Sequence, residues 1–276
     1  MTLFSDRHLP DLQDILKSVG AEEILPRFRR LEAADIAHKE SPRDLVTAAD
    51  IAAETAIAAR IRRMHPSALI VGEEAVSEDA SLLDGLAEAP LAFVIDPVDG
   101  TFNFASAMPL FGTMLAVVAG GECVSGIIHY PVTGESLVAM RGAGARLIDH
   151  DGAAAPLRVA NPVPLAEMVG TISWGFMDEP LRSRVAGNMA KIAMTFALRC
   201  SAWEYRLAAA GKVHFIGGQK LMPWDHLAGV LIHAEAGGYS ARLDGTPYRP
   251  GMTDGGLISA PDHESWRMIR AEIIEA

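Results

Sequence analysis

A short apolar run that ends in a pair of aspartates constrains the fold of this chain most. The run occupies residues 91–95 and is followed directly by Asp96, Pro97, Asp99 and Gly100. Apolar runs of this length, bounded by turn residues, predict a buried strand. Proline cannot donate to a strand ladder and glycine permits a sharp turn, so we expect the strand to end here. The sequence therefore predicts two converging carboxylates at a strand end.

This corner of the chain carries groups that bind a hard cation beside an anion. Carboxylate oxygens and a backbone carbonyl, such as that of Val98, are ligands that magnesium prefers. The backbone amides of Gly100 and Thr101, at the start of a following helix, suit a phosphate group. The alternative is a turn whose aspartates only cap a helix, and for an isolated Asp-x-x-Asp pair it would be the commoner interpretation.

Two separated motifs resemble the signatures of the inositol monophosphatase family. The first is Asp-Pro-hydrophobic-Asp-Gly-Thr-x-Asn-Phe at residues 96–104, and the second is Trp-Asp with small residues following, at 224–229. Members of this family are magnesium-dependent, lithium-sensitive phosphatases of sugar phosphates. The resemblance implies an α/β (α+β) layered sandwich of the αβαβα type, with mixed and antiparallel sheets. We expect a single domain over residues 1–276, with two lobes whose approximate boundary lies at residues 150–165, which are rich in Ala, Pro and Gly.

The resemblance also implies roles for individual residues. The implied metal ligands, for two or three magnesium ions, are Glu73, Asp96, the Val98 carbonyl, Asp99 and Asp225. The implied catalytic residues are Asp50, Glu73 and Thr101, and the implied substrate-binding residues are Asp99, Gly100, Thr101, Asp225 and Arg199. Lys39 is implied to lie near a third, weaker cation site.

Simpler interpretations of two of these acids remain open. Asp50 follows Thr47, an acceptable helix N-cap, so a helix N-terminus that attracts an acid through its dipole explains Asp50 equally well. Glu73 follows a predicted strand at residues 68–71 and a glycine. The alternative for the pair Glu73 and Glu74 is two exposed acids opening a loop, which suits Glu74 better.

The chain departs from the family at two positions that face the substrate. The family tends to carry Gly-Ser/Thr-Ala-Ala where this chain has Arg-Cys-Ser-Ala at 199–202, and a glutamate where this chain has Gly218. Lys220 could recognise an acidic or second phosphate group, although a solvent-facing lysine is the more frequent outcome. Inositol 1-phosphate, histidinol phosphate, a nucleotide 3′-phosphate and fructose 1,6-bisphosphate all remain candidate substrates.

Composition limits the other functional classes. The 24 basic and 35 acidic residues leave a formal charge of −11, which makes nucleic acid an unlikely partner. Two cysteines without metal-like spacing argue against a disulfide framework and a zinc site. Without a signal peptide or membrane-spanning run, we expect a cytoplasmic protein with no membrane partner. The resemblance implies a homodimer, and some members of the family act through protein or RNA contacts, so a regulatory binding module is the alternative class.

Local patterns predict where several helices begin. An amphipathic helix over residues 48–64 is expected to turn Ile51, Ile57, Ile61 and Met64 inward. Further along, Ser201 is a reasonable N-cap, and Asp225 is expected to precede a helix that starts near residue 227. Cys200 has no basic partner nearby in the sequence, so we expect a buried thiol rather than a nucleophile.

Overall fold

The strands of the computed structural model form three sheets. The structure describes residues 4–38 and 45–276, with the backbone alone at His38. In chain order, the strands within these residues are β1 (Ile36–His38), β2 (Leu45–Thr47), β3 (Leu69–Gly72), β4 (Leu91–Asp99), β5 (Gly112–Ala119), β6 (Glu122–Tyr130), β7 (Glu135–Met140), β8 (Ala145–Ile148), β9 (Ala154–Pro156), β10 (Val169–Ile172), β11 (Met194–Thr195), β12 (Phe215–Gly218), β13 (Tyr239–Arg242) and β14 (Leu257–Ala260).

Eight α-helices connect and cover these strands in the described part of the chain. They are α1 (Leu9–Val19), α2 (Ala48–Met64), α3 (Glu73–Glu78), α4 (Thr101–Ala105), α5 (Leu181–Asn188), α6 (Ser201–Ala209), α7 (Pro223–Glu235) and α8 (His263–Ile269). None of them is long and apolar enough to cross a membrane.

The two large sheets differ in their topology. The first has seven strands in the order β3 to β9, in which only the β3–β4 pair is parallel. The second has five strands in the order β11-β10-β12-β14-β13, and β10 is parallel to both of its neighbours. The short strands β1 and β2 form a separate antiparallel ribbon. Both large sheets are therefore mixed; the first is mainly antiparallel, and the second has two parallel and two antiparallel pairs.

Helices cover both faces of each large sheet, which produces five layers. Helices α1 and α2 pack on one face of the seven-stranded sheet, around Phe93 and Leu115. On its other face α6 and α7 pack around Tyr205, and these helices also contact the five-stranded sheet. The outer face of that second sheet is covered by α5 and α8, around Phe215 and Trp266. This order of helix, sheet, helix, sheet and helix confirms the predicted αβαβα sandwich.

The middle helical layer depends on a close approach of α6 to α7. A Cβ atom built on Gly229 of α7 would lie only 2.1 Å from Cδ2 of Tyr205 in α6. Real Cβ atoms do not come this close to another carbon atom, so only glycine lets the two helices pack at this distance. Both helices begin at the cavity described below, and their packing fixes where their first turns lie.

The prediction that Pro97 ends the strand ladder is wrong. Strand β4 continues to Asp99, and its pairing with β5 shifts register between Asp96 and Asp99. Such a β-bulge leaves the residues within it outside the regular ladder, so the missing proline N–H costs no hydrogen bond there. Gly100 then turns the chain with a φ of 90°, which favours glycine, and α4 begins at Thr101.

Several helix predictions need smaller corrections. Helix α2 has the predicted bounds and Thr47 is its N-cap, but Ile51 and Met64 are 56% and 36% exposed rather than inward. Cys200, not Ser201, is the N-cap residue of α6. Helix α7 begins at Pro223, since proline is favoured in the first turn, and Asp225 therefore lies inside the helix.

The segment at residues 150–165 lies between the two large sheets in the chain order. It contains β9, which is the last strand of the seven-stranded sheet. It leads to β10, which is the strand of the five-stranded sheet that comes first in the chain. The expected division into two lobes at this segment stays a prediction.

Candidate active site

Three aspartates meet where the middle helices approach the end of β4. Asp96 and Asp99 lie at the bulge of β4, and Asp225 lies in the first turn of α7. Each contributes a carboxylate oxygen to a group in which all oxygens lie within 4.8 Å of one another. The predicted convergence of Asp96 and Asp99 is therefore observed, and the fold adds Asp225 to it.

Asp96 is the most deeply buried member of this group. Its side chain is 1% exposed, and no described residue gives Oδ1 a hydrogen-bond partner. Burial raises the pKa of Asp96 well above its usual range, and the negative charge of Glu73 and of the neighbouring aspartates raises it further. A buried carboxylate in such surroundings needs either a proton or a cation to offset its charge.

Asp99 has hydrogen-bond donors that Asp96 lacks. The Sγ of Cys200 donates to its Oδ2 at 2.8 Å, and the backbone amides of Ser201 and Ala202 donate at 3.1 Å and 2.6 Å. Burial, followed by the charge of Asp225, raises the pKa of Asp99 from 3.8 to about 7, while these donors act in the opposite direction. The first turn of α6 thus fixes the carboxylate and partly offsets its charge.

A second group of hydrogen bonds links Asp50 to Thr101. Oδ2 of the fully buried Asp50 accepts from the backbone amide and the hydroxyl of Thr47, at 2.9 Å and 2.5 Å. The Thr101 hydroxyl lies 3.2 Å from Asp50 Oδ1 and 3.1 Å from the Val98 carbonyl oxygen, and it can donate to either. Asp50 therefore caps α2 and also contacts Thr101, so both interpretations of this residue are compatible with the structure.

These groups line one cavity of about 390 Å³, a volume typical of sites for small molecules. Its lining includes Glu73, Asp96, Asp99, Gly100, Thr101, Arg199 and Asp225. Asp50 and the Val98 carbonyl oxygen each lie within hydrogen-bond distance of the Thr101 hydroxyl, which connects them to this lining. The predicted site residues are thus brought together, except for Lys39, which lies outside the described residues.

Comparison with known proteins identifies the relatives of this chain. The profile of the inositol monophosphatase family matches residues 12–276. The chain belongs to this family. The fructose-1,6-bisphosphatase/inositol-1-monophosphatase of Thermotoga maritima is 31% identical over 212 residues, which is 76% of each chain. The Nus factor SuhB of Pasteurella multocida is 32% identical over 225 residues, 80% of this chain and 79% of that protein.

Solved structures of the family have the same fold. The inositol monophosphatase of Thermotoga maritima superimposes with a TM-score of 0.80 at 26% sequence identity, covering 98% of this chain and 96% of that one. Like its relatives, this inositol monophosphatase family member is a phosphoric monoester hydrolase. The family is metal-dependent, and Asp96, Asp99 and Asp225 form an acidic cluster that could bind a metal ion.

Three residues of this site were not predicted in these roles from the sequence. Glu204 lines the cavity in the first turn of α6, and burial followed by the charge of Asp99 raises its pKa to about 8. Cys200 is the expected buried thiol, but its contact with Asp99 was not anticipated. Glu204 and Tyr205 share a helix face with Ser201 by their i, i+3 and i+4 spacing, which would have pointed to Glu204.

The third residue is Glu54, whose carboxylate supports the start of α3. Its two oxygens accept from the backbone amides of Glu74 and Ala75 at 2.8 Å and 2.9 Å. These amides belong to the first turn of α3, whose first residue is Glu73. A carboxylate is suited to this position because both of its oxygens accept and because the helix dipole favours a negative charge. Glu54 therefore fixes the turn that carries Glu73 to the cavity.

We expect Glu54→Gln to lower the free energy of unfolding by about 1–3 kcal/mol, since the amide nitrogen of glutamine would face a backbone N–H that needs an acceptor. Urea unfolding in the presence of EDTA measures this effect without a contribution from bound metal. The matched control is Glu78→Gln, in the exposed last turn of the same helix, which is expected to change stability little. Equal stability of both variants would contradict the proposed support of α3.

Proposed function

We propose that this chain is a magnesium-dependent phosphatase that hydrolyses the ester of a small phosphorylated metabolite, such as inositol 1-phosphate, by direct attack of water. The observation that carries the proposal is the group of buried carboxylates at Asp96, Asp99 and Asp225. The Oδ1 atom of Asp96, buried without a hydrogen-bond partner among the described residues, fits a cation ligand. Carboxylate oxygens are the donor set expected for magnesium rather than for a softer metal.

The three aspartates, with Glu73 and the Val98 carbonyl, would hold two or three magnesium ions. Such ions lower the pKa of a water molecule and offset the negative charge of the phosphate group. The protein supports this chemistry by holding its carboxylates rigidly, because Asp99 accepts three hydrogen bonds from the start of α6. The ligands need little rearrangement when substrate binds, which is a main source of catalytic rate.

Thr101 and Asp50 are proposed to act on the attacking water. When the Thr101 hydroxyl donates to Asp50 or to the Val98 carbonyl, a lone pair on its oxygen remains available for a hydrogen of water. A proton that leaves the water would pass to Thr101 Oγ1 while the hydroxyl proton passes to Asp50 Oδ1. The amides of Gly100 and Thr101, with Asp99 and Asp225, are proposed to orient the substrate. Because water attacks directly, no phosphorylated enzyme forms.

Phosphate release from a panel of esters tests the proposal. The panel contains inositol 1-phosphate, histidinol phosphate, adenosine 3′,5′-bisphosphate and fructose 1,6-bisphosphate. We expect release from at least one of them to require magnesium, to stop with EDTA and to be inhibited by lithium. Release that continues unchanged in EDTA would contradict the metal-dependent mechanism, and the ratio of kcat/KM values would rank the substrates.

Other expectations stay predictions. Two relatives are named Nus factors, so a regulatory or RNA-binding role remains the alternative class for this chain. A cytoplasmic location and a homodimer also remain expectations. The exposed side chains of Phe176 and Met194 are apolar surface that a second copy could cover.

A further inference from the structure

The loop that joins β12 to α7 borders the same cavity as the aspartates. It comprises residues 219–222, and two of them, Gln219 and Lys220, belong to the lining. Leu221 is fully buried and anchors the loop, whereas Lys220 is exposed. The Oε1 atom of Gln219 is buried without a hydrogen-bond partner among the described residues. A buried acceptor of this kind gains from a ligand that donates to it, so the loop is placed to contact the alcohol part of a bound ester.

A histidine in the first turn of α7 holds this loop. Nε2 of His226 lies 3.0 Å from the backbone carbonyl oxygen of Lys220. A carbonyl oxygen can only accept a hydrogen bond, so Nε2 carries a hydrogen and donates it. The bond fixes the peptide group that joins Lys220 to Leu221, directly after Gln219. His226 thereby ties the exposed part of the loop to a rigid helix.

The other ring nitrogen of His226 is held by α6. The Tyr205 hydroxyl lies 3.0 Å from Nδ1, and Tyr205 is itself fixed because its ring packs directly on Gly229 of α7. The rings of Tyr205 and Tyr248 meet the imidazole edge to face, with centroids 6.1 Å and 6.3 Å away. Partners at both nitrogens and rings around it give the imidazole one orientation. His226 therefore connects α6, α7 and the 219–222 loop.

We propose that His226 is a positioning residue of this phosphatase, which holds the 219–222 loop in the conformation that receives the alcohol part of the substrate. Gln219, next to the held peptide group, contacts the alcohol part itself. Without His226 the loop must be ordered when substrate binds, and that cost weakens binding. The inference rests on the proposed function, since the alcohol part reaches the loop only when the phosphate binds at the aspartate cluster.

Trypsin measures the order of the loop directly. It cleaves after lysine, so its target at Lys220 is the peptide bond whose carbonyl group His226 holds, and cleavage requires that this segment opens locally. We expect His226→Leu, which removes the donor and keeps an apolar side chain, to speed cleavage after Lys220 by about 3–10-fold, the factor that one hydrogen bond of ordinary net strength provides. Mass spectrometry of the first fragments from the native protein identifies the cleaved bond.

Two amide variants form a matched pair that differs only in reach. The side-chain nitrogen of His226→Gln extends about as far as Nε2 and should keep cleavage within about twofold of the wild type. His226→Asn can still accept from the Tyr205 hydroxyl but is too short to reach the Lys220 carbonyl, so it should behave like His226→Leu. Melting temperatures show that each variant is folded, and this pair carries the test where His226→Leu does not fold.

Steady-state kinetics connect the loop to the substrate. With the panel ester that the wild type hydrolyses fastest, we expect His226→Asn to raise KM by about 3–10-fold while kcat changes less than about twofold. Inorganic phosphate has no alcohol part, so its inhibition constant should also change less than about twofold. His226→Gln should restore most of the wild-type KM. The control is His150→Leu, at an exposed histidine beside Asp151, which should change none of these values.

The outcomes separate this inference from the proposed function. Equal cleavage after Lys220 in the wild type and in His226→Asn would overturn the positioning role, and so would faster cleavage with an unchanged KM. An equal rise in KM and in the inhibition constant of phosphate would also overturn it, because His226 would then act on the aspartate cluster. Failure of the wild type to release phosphate from any panel ester with magnesium would contradict the proposed function, while the cleavage rates still decide whether His226 holds the loop.

Discussion

Replacing Asp96 with asparagine is expected to lower kcat/KM by at least about 10³-fold, since a metal ligand contributes several kcal/mol to transition-state stabilisation. The same change is expected to raise the melting temperature of the metal-free protein. Asp96 is almost fully buried among acids, and no described residue makes a hydrogen bond to its Oδ1. Asparagine has nearly the same shape and no charge, so it removes the electrostatic cost of this position.

The stabilising effect of Asp96→Asn should grow with pH. Burial and neighbouring acids raise the folded-state pKa of Asp96 above its ordinary value, so the folded protein binds more protons than the unfolded chain over the range between the two values. The stability contributed by such a group is present at low pH and is lost as the pH rises. Asp99, whose pKa is about 7, adds a loss of the same sign between about pH 4 and pH 7.

Calorimetry in EDTA at pH 5.5, 7 and 8.5 measures this effect. Each 1 kcal/mol regained by Asp96→Asn should raise the melting temperature by roughly 2–4 °C in a chain of this size. Magnesium should stabilise the wild type and not the variant, because only the wild type binds it tightly. The control is Asp84→Asn, an exposed aspartate whose replacement should change neither stability nor activity. A variant that is less stable than wild type at pH 8.5 in EDTA, or that keeps its activity, would contradict the interpretation of Asp96.

Replacing Thr101 with alanine is expected to lower kcat by about 10²–10⁴-fold, the range typical of a positioned group in proton transfer. The alanine variant loses the only hydroxyl that contacts Asp50 Oδ1 and the Val98 carbonyl in the described hydrogen bonds. Thr101→Ser keeps the hydroxyl and should remain within a few-fold of wild type. Thr101 is a better test than Asp50, because Asp50 also caps α2 through Thr47 and its replacement would destabilise the fold.

Steady-state kinetics over a range of magnesium concentrations distinguish this role from a structural one. We expect Thr101→Ala to leave KM and the magnesium dependence close to those of the wild type, while kcat alone falls. A similar loss of kcat in Thr101→Ser would indicate a steric effect rather than the missing hydroxyl. Wild-type kcat in Thr101→Ala would exclude Thr101 from the proton transfer.

Local signals in the sequence were sufficient to predict those helices and strands whose ends are set by their own residues. The N-cap at Thr47 and the bounds of α2 follow from capping and helical spacing, and the structure confirms both. The apolar run before Asp96 predicted a buried strand, and the structure confirms it. Such a run is apolar at every position because helices cover both faces of the sheet to which the strand belongs. The same local reasoning failed at Pro97, because a bulge in β4 depends on pairing with β5, which lies later in the chain.

The prediction that Ile51 points inward was wrong for a related reason. Helical periodicity gives the angle between side chains on a helix, but it does not say how wide the face covered by the sheet is. In α2 this covered face includes Ile57 and Ile61 and stops short of Ile51.

The sequence by itself determined the family, because its signatures are residue types at fixed spacings in two motifs, and the resemblance then implied the αβαβα class and the acids of the candidate site. Only the tertiary structure decided how the acids are held. The contact of Cys200 with Asp99 and the support of α3 by Glu54 join residues far apart in the chain. The stacking of Arg199 on Phe102 is likewise set by how α6 and α4 meet. Such contacts arise from the packing of whole helices and sheets, which no local pattern of residues specifies.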